Sequence, residues 1–230
     1  MAVSGTYTFS PDIGEIAEEA YERAGLELAN GYDLRTARRS LDLLFLEWQN
    51  RGINLWTVDE QKTSTLTADV ATVTLASNTV AVLEMVLREN DGDATAQSDI
   101  ELSRISRDTY YGIPTKLSTG RPTQVYIDRK VDSVTATLWQ VPDKSGTYTL
   151  VYNRVRRMAD AGPGGTYTAD VPDRFWPALI SGLAYKLALK RPEASVRVPI
   201  LKQDYEEQFG LAAAEDREKA PLRFVPGGYR

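Results

Sequence analysis

Apolar residues recur at helical spacing early in the chain: Ile13, Ile16, Ala17, Ala20 and Ala24 share one face. Ser10-Pro11 ahead of them offers an N-cap with proline at the first helical position, and Asp12 and Glu15 make an acidic first turn. This helix is expected to stop near Gly25 or in the run to Asn30-Gly31. A second stripe, Ala37, Leu41, Leu44, Phe45 and Trp48, follows a cap at Asp33 and is stopped by Gly52. The short Asn30-Gly31-Tyr32 connection predicts a helical hairpin with its two stripes facing each other.

Beyond Ile53 the period shortens to two. Leu55–Asp59, Gln61–Leu66, Val70–Leu75 and Val80–Leu87 are rich in Thr and Val and alternate as strands do. Ser106–Gly112 reads as a short capped helical turn. The stretch around which the rest is organised runs from Arg121 to Arg191. It holds strands at Pro122–Asp128, Ser133–Trp139 and Thr147–Val155, with Val141–Gly146 as a hairpin connection. A Gly/Pro/Asp loop, Ala159–Gly165, leads to an apolar helix beginning near Asp173. Its stripe is Phe175, Leu179, Leu183 and Leu187, widened by Ile180, Ala184 and Ala188; Pro177 is tolerable in the first turn, and Arg191-Pro192 ends the helix. A sheet handed directly to a helix able to cover it is the nucleus of an α+β domain. Ser195 then caps a last helix, established after Pro199, with Leu201, Tyr205 and Ala212 along one side and Phe209 next to it.

The fold class is therefore α+β. An N-terminal helical hairpin (10–52) and C-terminal helices (170–220) form a helical bundle, with an inserted antiparallel β-rich domain (53–158). Residues 1–9, small and polar, are expected to be a mobile arm. The final run, Pro221–Arg230, cannot continue a helix; it reads either as disorder or as an extended segment that docks on another chain.

Composition narrows the chemistry. The chain has neither Cys nor His, which removes disulfides, thiolate nucleophiles, the commonest metal ligand and the centre of a Ser-His-Asp triad. Chemistry based on carboxylates alone stays formally open. A net charge of −5 is unlike that of a protein whose main task is gripping phosphates. No window approaches the ~20 apolar residues of a membrane span. The first residues carry no basic and apolar leader, so the product is expected in the cytoplasm of the cell that makes it until assembly. No cofactor or metal is expected.

Candidate clusters each have a plainer structural reading. Arg35, Arg38 and Arg39 lie off the second stripe, where nucleic acid or merely solvent would meet them. Arg154, Arg156 and Arg157 crowd a strand end beside Asp160; a salt-bridged strand end or subunit contact is the simpler reading than a phosphate site. Tyr110 and Tyr111 suit a sheet edge or an interface. Asn90-Asp91-Gly92-Asp93 is a turn, since it lacks the spaced oxygen ligands and closing Glu of a calcium loop.

A resemblance gives these readings direction. Arg121–Asp128, Leu138–Pro142, Tyr148–Arg154, Val171–Pro177, Gly182–Leu189, Asp204–Gln208 and Glu215–Ala220, with Glu47–Gly52 in agreement, resemble the head-to-tail adaptors of tailed bacteriophages. The closest form is that of short-tailed phages, also called the tail accessory or packaged-DNA stabilisation protein. The resemblance implies a non-enzymatic virion protein at the head-tail interface, made in the host cytoplasm. Twelve copies would form a ring beneath the portal protein, extend the channel for packaged DNA without sequence-specific contact, and offer a platform to a downstream tail or nozzle protein. It further implies that residues 221–230 are a docking arm on the portal, with Arg223, Phe224, Val225 and Tyr229 as the portal-binding candidates.

Two other classes stay open on sequence alone. A tail-associated cell-wall glycosidase needs two carboxylates about 5 to 10 Å apart across a cleft, and no motif picks out such a pair; Glu18-Glu19 and Glu206-Glu207 read as solvated surface. A weak, non-specific DNA-binding module would use the arginine clusters and show steep salt dependence.

Overall fold

The computed structural model describes residues 9–52, 55–163 and 166–216. The chain divides into two compact units, one formed by Met1–Trp56 with Met158–Arg230 and the other by Thr57–Arg157.

The first unit is helical. Helix α1 spans Ile13–Ala24 and α2 spans Gly31–Asn50. The α1 cap is Asp12, two residues later than Ser10. Its carboxylate accepts the Glu15 N–H while Glu15 returns a hydrogen bond to the Asp12 N–H, a reciprocal capping box that Ser10 has no partner to build. Gly25, at φ 72°, ends α1 in the left-handed conformation that pairs Gly25 N with Glu22 O and Leu26 N with Tyr21 O. The α2 cap is Asn30, not Asp33, because Asp33 is drawn into the helix as a buried ion-pair partner. All five stripe residues of α2 are buried.

Helix α4, Trp176–Ala188, follows a 3₁₀ turn at Asp173–Phe175; α5, Val198–Glu215, follows another at Pro192–Arg197, which replaces the expected Ser195 cap. α1, α2 and α5 all pack on α4, so the hairpin stripes converge on α4 more than on each other. Gly182 permits this: a Cβ there would meet the Tyr205 ring at 2.9 Å and Leu44 at 3.0 Å. The α4 stripe therefore lies wholly in a helical core.

The strands close a core of their own. They are β1 Val58–Thr65, β2 Thr72–Thr74, β3 Thr79–Glu89, β4 Ser98–Glu101, β5 Ser103–Ile105, β6 Thr119–Gly120, β7 Gln124–Arg129, β8 Val134–Trp139, β9 Val141–Pro142 and β10 Tyr148–Arg156, with the short helix α3, Arg107–Gly112, capped by Ser106. One sheet runs β1-β10-β3-β4, wholly antiparallel; the other runs β2-β8-β7-β5, with β5 parallel to β7. Leu102 sits where the chain steps from the first sheet into the second. Leu87, Leu150 and Tyr152 from one sheet share a core with Val125, Ala136 and Leu138 from the other. Most pairing is antiparallel, yet β5–β7 and β6–β9 are parallel.

The strands expected at Leu55–Asp59 and Gln61–Leu66 are in fact one. Leu55–Thr57 is a 3₁₀ turn, and β1 carries a bulge between Asp59 and Lys62, where Gln61 takes φ 49°. β3 is bulged at the same level, between Val82 and Met85. Between them on β10, the Asn153 side chain serves both distortions, accepting the Gln61 N–H at 2.9 Å and donating to Glu84 Oε2 at 3.0 Å.

Candidate docking surface

Arg223, Phe224, Val225 and Tyr229 lie outside the described residues, as does the arm at 1–9 apart from Phe9. What is described is the helix that leads toward the tail. Its C-cap, Asp216, forms an ion pair with Arg174 in the turn before α4, and its N–H bonds Ala212 O. The last described residue is thereby tied to the beginning of α4.

Tail-ward helix α5 is fixed to α2 and α4 by one aromatic and ionic cluster. Trp48 Nε1 donates to the Tyr205 hydroxyl at 3.0 Å, and that hydroxyl donates to Glu47 Oε1 at 3.0 Å. Arg51 donates to Glu47 at 2.7 Å and reaches Glu206 through two bonds of 2.8 Å each. Lys186 lies 2.7 Å from Glu47 Oε2. The Arg51 guanidinium covers the Phe209 ring at 4.5 Å, and Trp48 packs on both Phe175 and Phe209. Burial pushes the Glu47 carboxyl up, but hydrogen bonds from Lys186, Arg51 and Tyr205 outweigh it and hold it below the usual carboxylate range. The Arg51 hydrogen bonds likewise lower Glu206. Burial raises the Tyr205 phenol well above its ordinary value.

A second cluster joins α2 to the end of α4. Asp33 accepts Arg191 Nη2 at 2.8 Å and the Ala29 N–H at 3.3 Å, and the Tyr21 hydroxyl donates to its carbonyl. Ser181 donates to Asp204 at 2.5 Å while accepting from Arg23 at 3.1 Å. Burial, with Arg39 nearby, lowers Lys190, which donates to Ser40.

The arginine clusters are largely engaged within the fold. Arg154 is buried and clamps Asp59 with bonds of 3.0 and 2.8 Å, the Ser77 carbonyl and Thr79 Oγ1. Arg156 approaches the same carboxylate at 3.5 Å. This is the salt-bridged strand end, with Asp59 as the acid that Arg154 grips. Arg38 donates to Pro163 O and Arg35 to Gly31 O. Tyr110 stacks on Tyr126, with Tyr111 edge-on and exposed. Asn90–Asp93 is a turn in which Asp93 Oδ1 accepts from Thr95 and Ala96. Glu19 pairs with Arg23 and Glu206 with Arg51.

Sequence reasoning passed over Glu47, Arg51, Lys186 and Asp33 as working partners. The signal lay in the quoted family motifs. Glu47–Gly52, Val171–Pro177, Gly182–Leu189 and Asp204–Gln208 contribute Glu47, Trp48, Arg51, Phe175, Lys186, Tyr205 and Glu206 to one cluster.

In the helical unit, then, Glu47, Arg51, Lys186 and Glu206 are engaged in holding helices together. The chain belongs to the SU10 adaptor protein family, whose model matches residues 12–225, and so to the phage adaptor proteins. The match starts at the α1 cap and continues past the last described residue as far as Val225. No curated protein matches the chain. Among the described residues, no helix is long and apolar enough to cross a membrane.

Proposed function

We propose that this adaptor joins head to tail in a virion of the short-tailed type. Twelve copies form a ring beneath the portal, extend the DNA channel and give the tail or nozzle its platform. Assembly takes place in the host cytoplasm. Residues 221–230 dock on the portal through Arg223, Phe224, Val225 and Tyr229.

The observation that carries this reading is the family match running through both units and into that segment. Two physical features support it. A ring closed by heterologous contacts needs two different lateral surfaces, and the helical unit exposes Leu43 and Leu46 on α2 and, separately, Ile200 and Leu211 on α5. A net charge of −5 suits a channel wall along which DNA slides.

The test is mass and shape in solution, alone and mixed with the portal ring. A discrete ring that forms with portal and is lost on deleting 221–230 is the expected result. A chain that ignores portal overturns the reading.

A further inference from the structure

α1, with Ile180 of α4, borders a groove of about 450 Å³. Phe9, Pro11, Ile16 and Ile180 give it an apolar lining, and Glu15, Glu18, Glu19, Glu22 and Arg23 line it as well. Phe9 is 77% exposed, held edge-on against Trp176 at 5.5 Å. Glu19 is paired with Arg23, and Glu15 belongs to the capping box. Among the described residues, Glu18 and Glu22 are exposed and their carboxylates have no partner.

The occupant is indicated by charge and by reach. Residues 217–230 carry four cations, Arg217, Lys219, Arg223 and Arg230, against one acid, Glu218, in a chain that is otherwise strongly acidic. They also carry Leu222, Phe224 and Val225, which suit an apolar floor. Residues 1–8, which precede Phe9 in sequence, contain no charged side chain. The segment departs from Asp216, which is paired with Arg174, two positions before the Trp176 that holds Phe9 at the groove. Four residues, 217–220, then span up to about 14 Å before Pro221.

We propose that residues 221–230 occupy the α1 groove of their own subunit until the portal takes them. Arg223 lies among the glutamates and Phe224 on the apolar floor. The handover to portal rests on the proposed function; the groove does not. One segment thus has two mutually exclusive docking places, so a subunit away from the portal keeps its arm covered.

The test measures fluorescence anisotropy of a labelled peptide of residues 217–230 against three proteins: the full chain, the chain ending at Asp216, and that shortened chain carrying Glu18→Lys with Glu22→Lys. The shortened chain is expected to bind at low salt. Charge reversal, or raised salt, weakens binding by about tenfold. The full chain binds about tenfold more weakly than the shortened one, because its own segment competes at high effective concentration. The inference is overturned if the shortened chain ignores the peptide, if charge reversal changes nothing, or if full and shortened chains bind alike. Sedimentation showing salt-sensitive self-association that truncation abolishes would place the segment on a second copy, and also overturns it. Since Glu18 and Glu22 have no side-chain partner among the described residues, Glu18→Gln with Glu22→Gln gives a milder reading on an intact fold. Portal binding is scored separately. If truncation leaves it unchanged, the portal role of the segment fails while the peptide result still decides the groove.

Discussion

Among the described residues, the helical unit gathers twenty-six buried apolar residues into one core and the β unit thirteen, although Thr57–Arg157 is nearly half of the chain. The β unit accordingly depends on other means. Its long ladders satisfy the backbone, a buried Arg154 ties Asp59 to the Ser77–Thr79 turn, and Asn153 stabilises two bulges at once. In the helical unit the deciding contacts join side chains far apart in sequence; Tyr205 and Glu47 are 158 positions apart. Helices carry their own backbone hydrogen bonds, so their mutual placement is left to side chains. Sheets fix placement through the backbone itself.

Trp48→Ala should reveal the difference most strongly. It removes the largest fully buried side chain and its contacts with Phe175, Phe209 and Tyr205, at a cost of about 3–5 kcal/mol. Calorimetry should show the helical transition falling while the β transition stays; a common shift of both would mean that the two cores unfold as one. Arg154→Ala is the reciprocal experiment. It leaves Asp59 with only marginal partners and should lower the β transition alone, by about 3 kcal/mol.

Glu47→Gln sharpens the picture through pH. Glu47 titrates below its ordinary value when folded, so its contribution is complete above the ordinary carboxylate pKa of about 4.3 and is lost as pH falls through the folded value. The substitution should cost about 1–2 kcal/mol at neutral pH. It should also flatten the acid side of the helical transition in melts between pH 6 and 3; a slope equal to the parent's would refute the role given to this carboxylate. Smallest is Asn153→Ala, about 1 kcal/mol on the β transition. Hydrogen exchange should quicken at Gln61 and its neighbours, with the helical amides unaffected.

The helices were readable from sequence because burial repeats with their period: every residue of the α2 stripe is inside. Their starts were less so. Asp12 prevails over Ser10 through a partner three residues on, and Asp33 is claimed by Arg191, which no local rule anticipates. β4 and β5 escaped notice because Ser98–Glu101 and Ser103–Ile105 are short edge strands with largely exposed side chains and no alternation. The Glu47–Arg51–Tyr205 cluster was visible only as family motifs, since charge pairing across so long a separation leaves no period to detect.

The β unit begins and ends at one place in the fold. Val58 lies opposite Val155 in the β1–β10 ladder, about 5 Å away from Cα to Cα. To the polypeptide on either side, the roughly hundred residues between amount to a gap no wider than a hairpin turn. Thr57–Arg157 is in that sense a cassette. A change of length inside it leaves the Val58–Val155 spacing as it is.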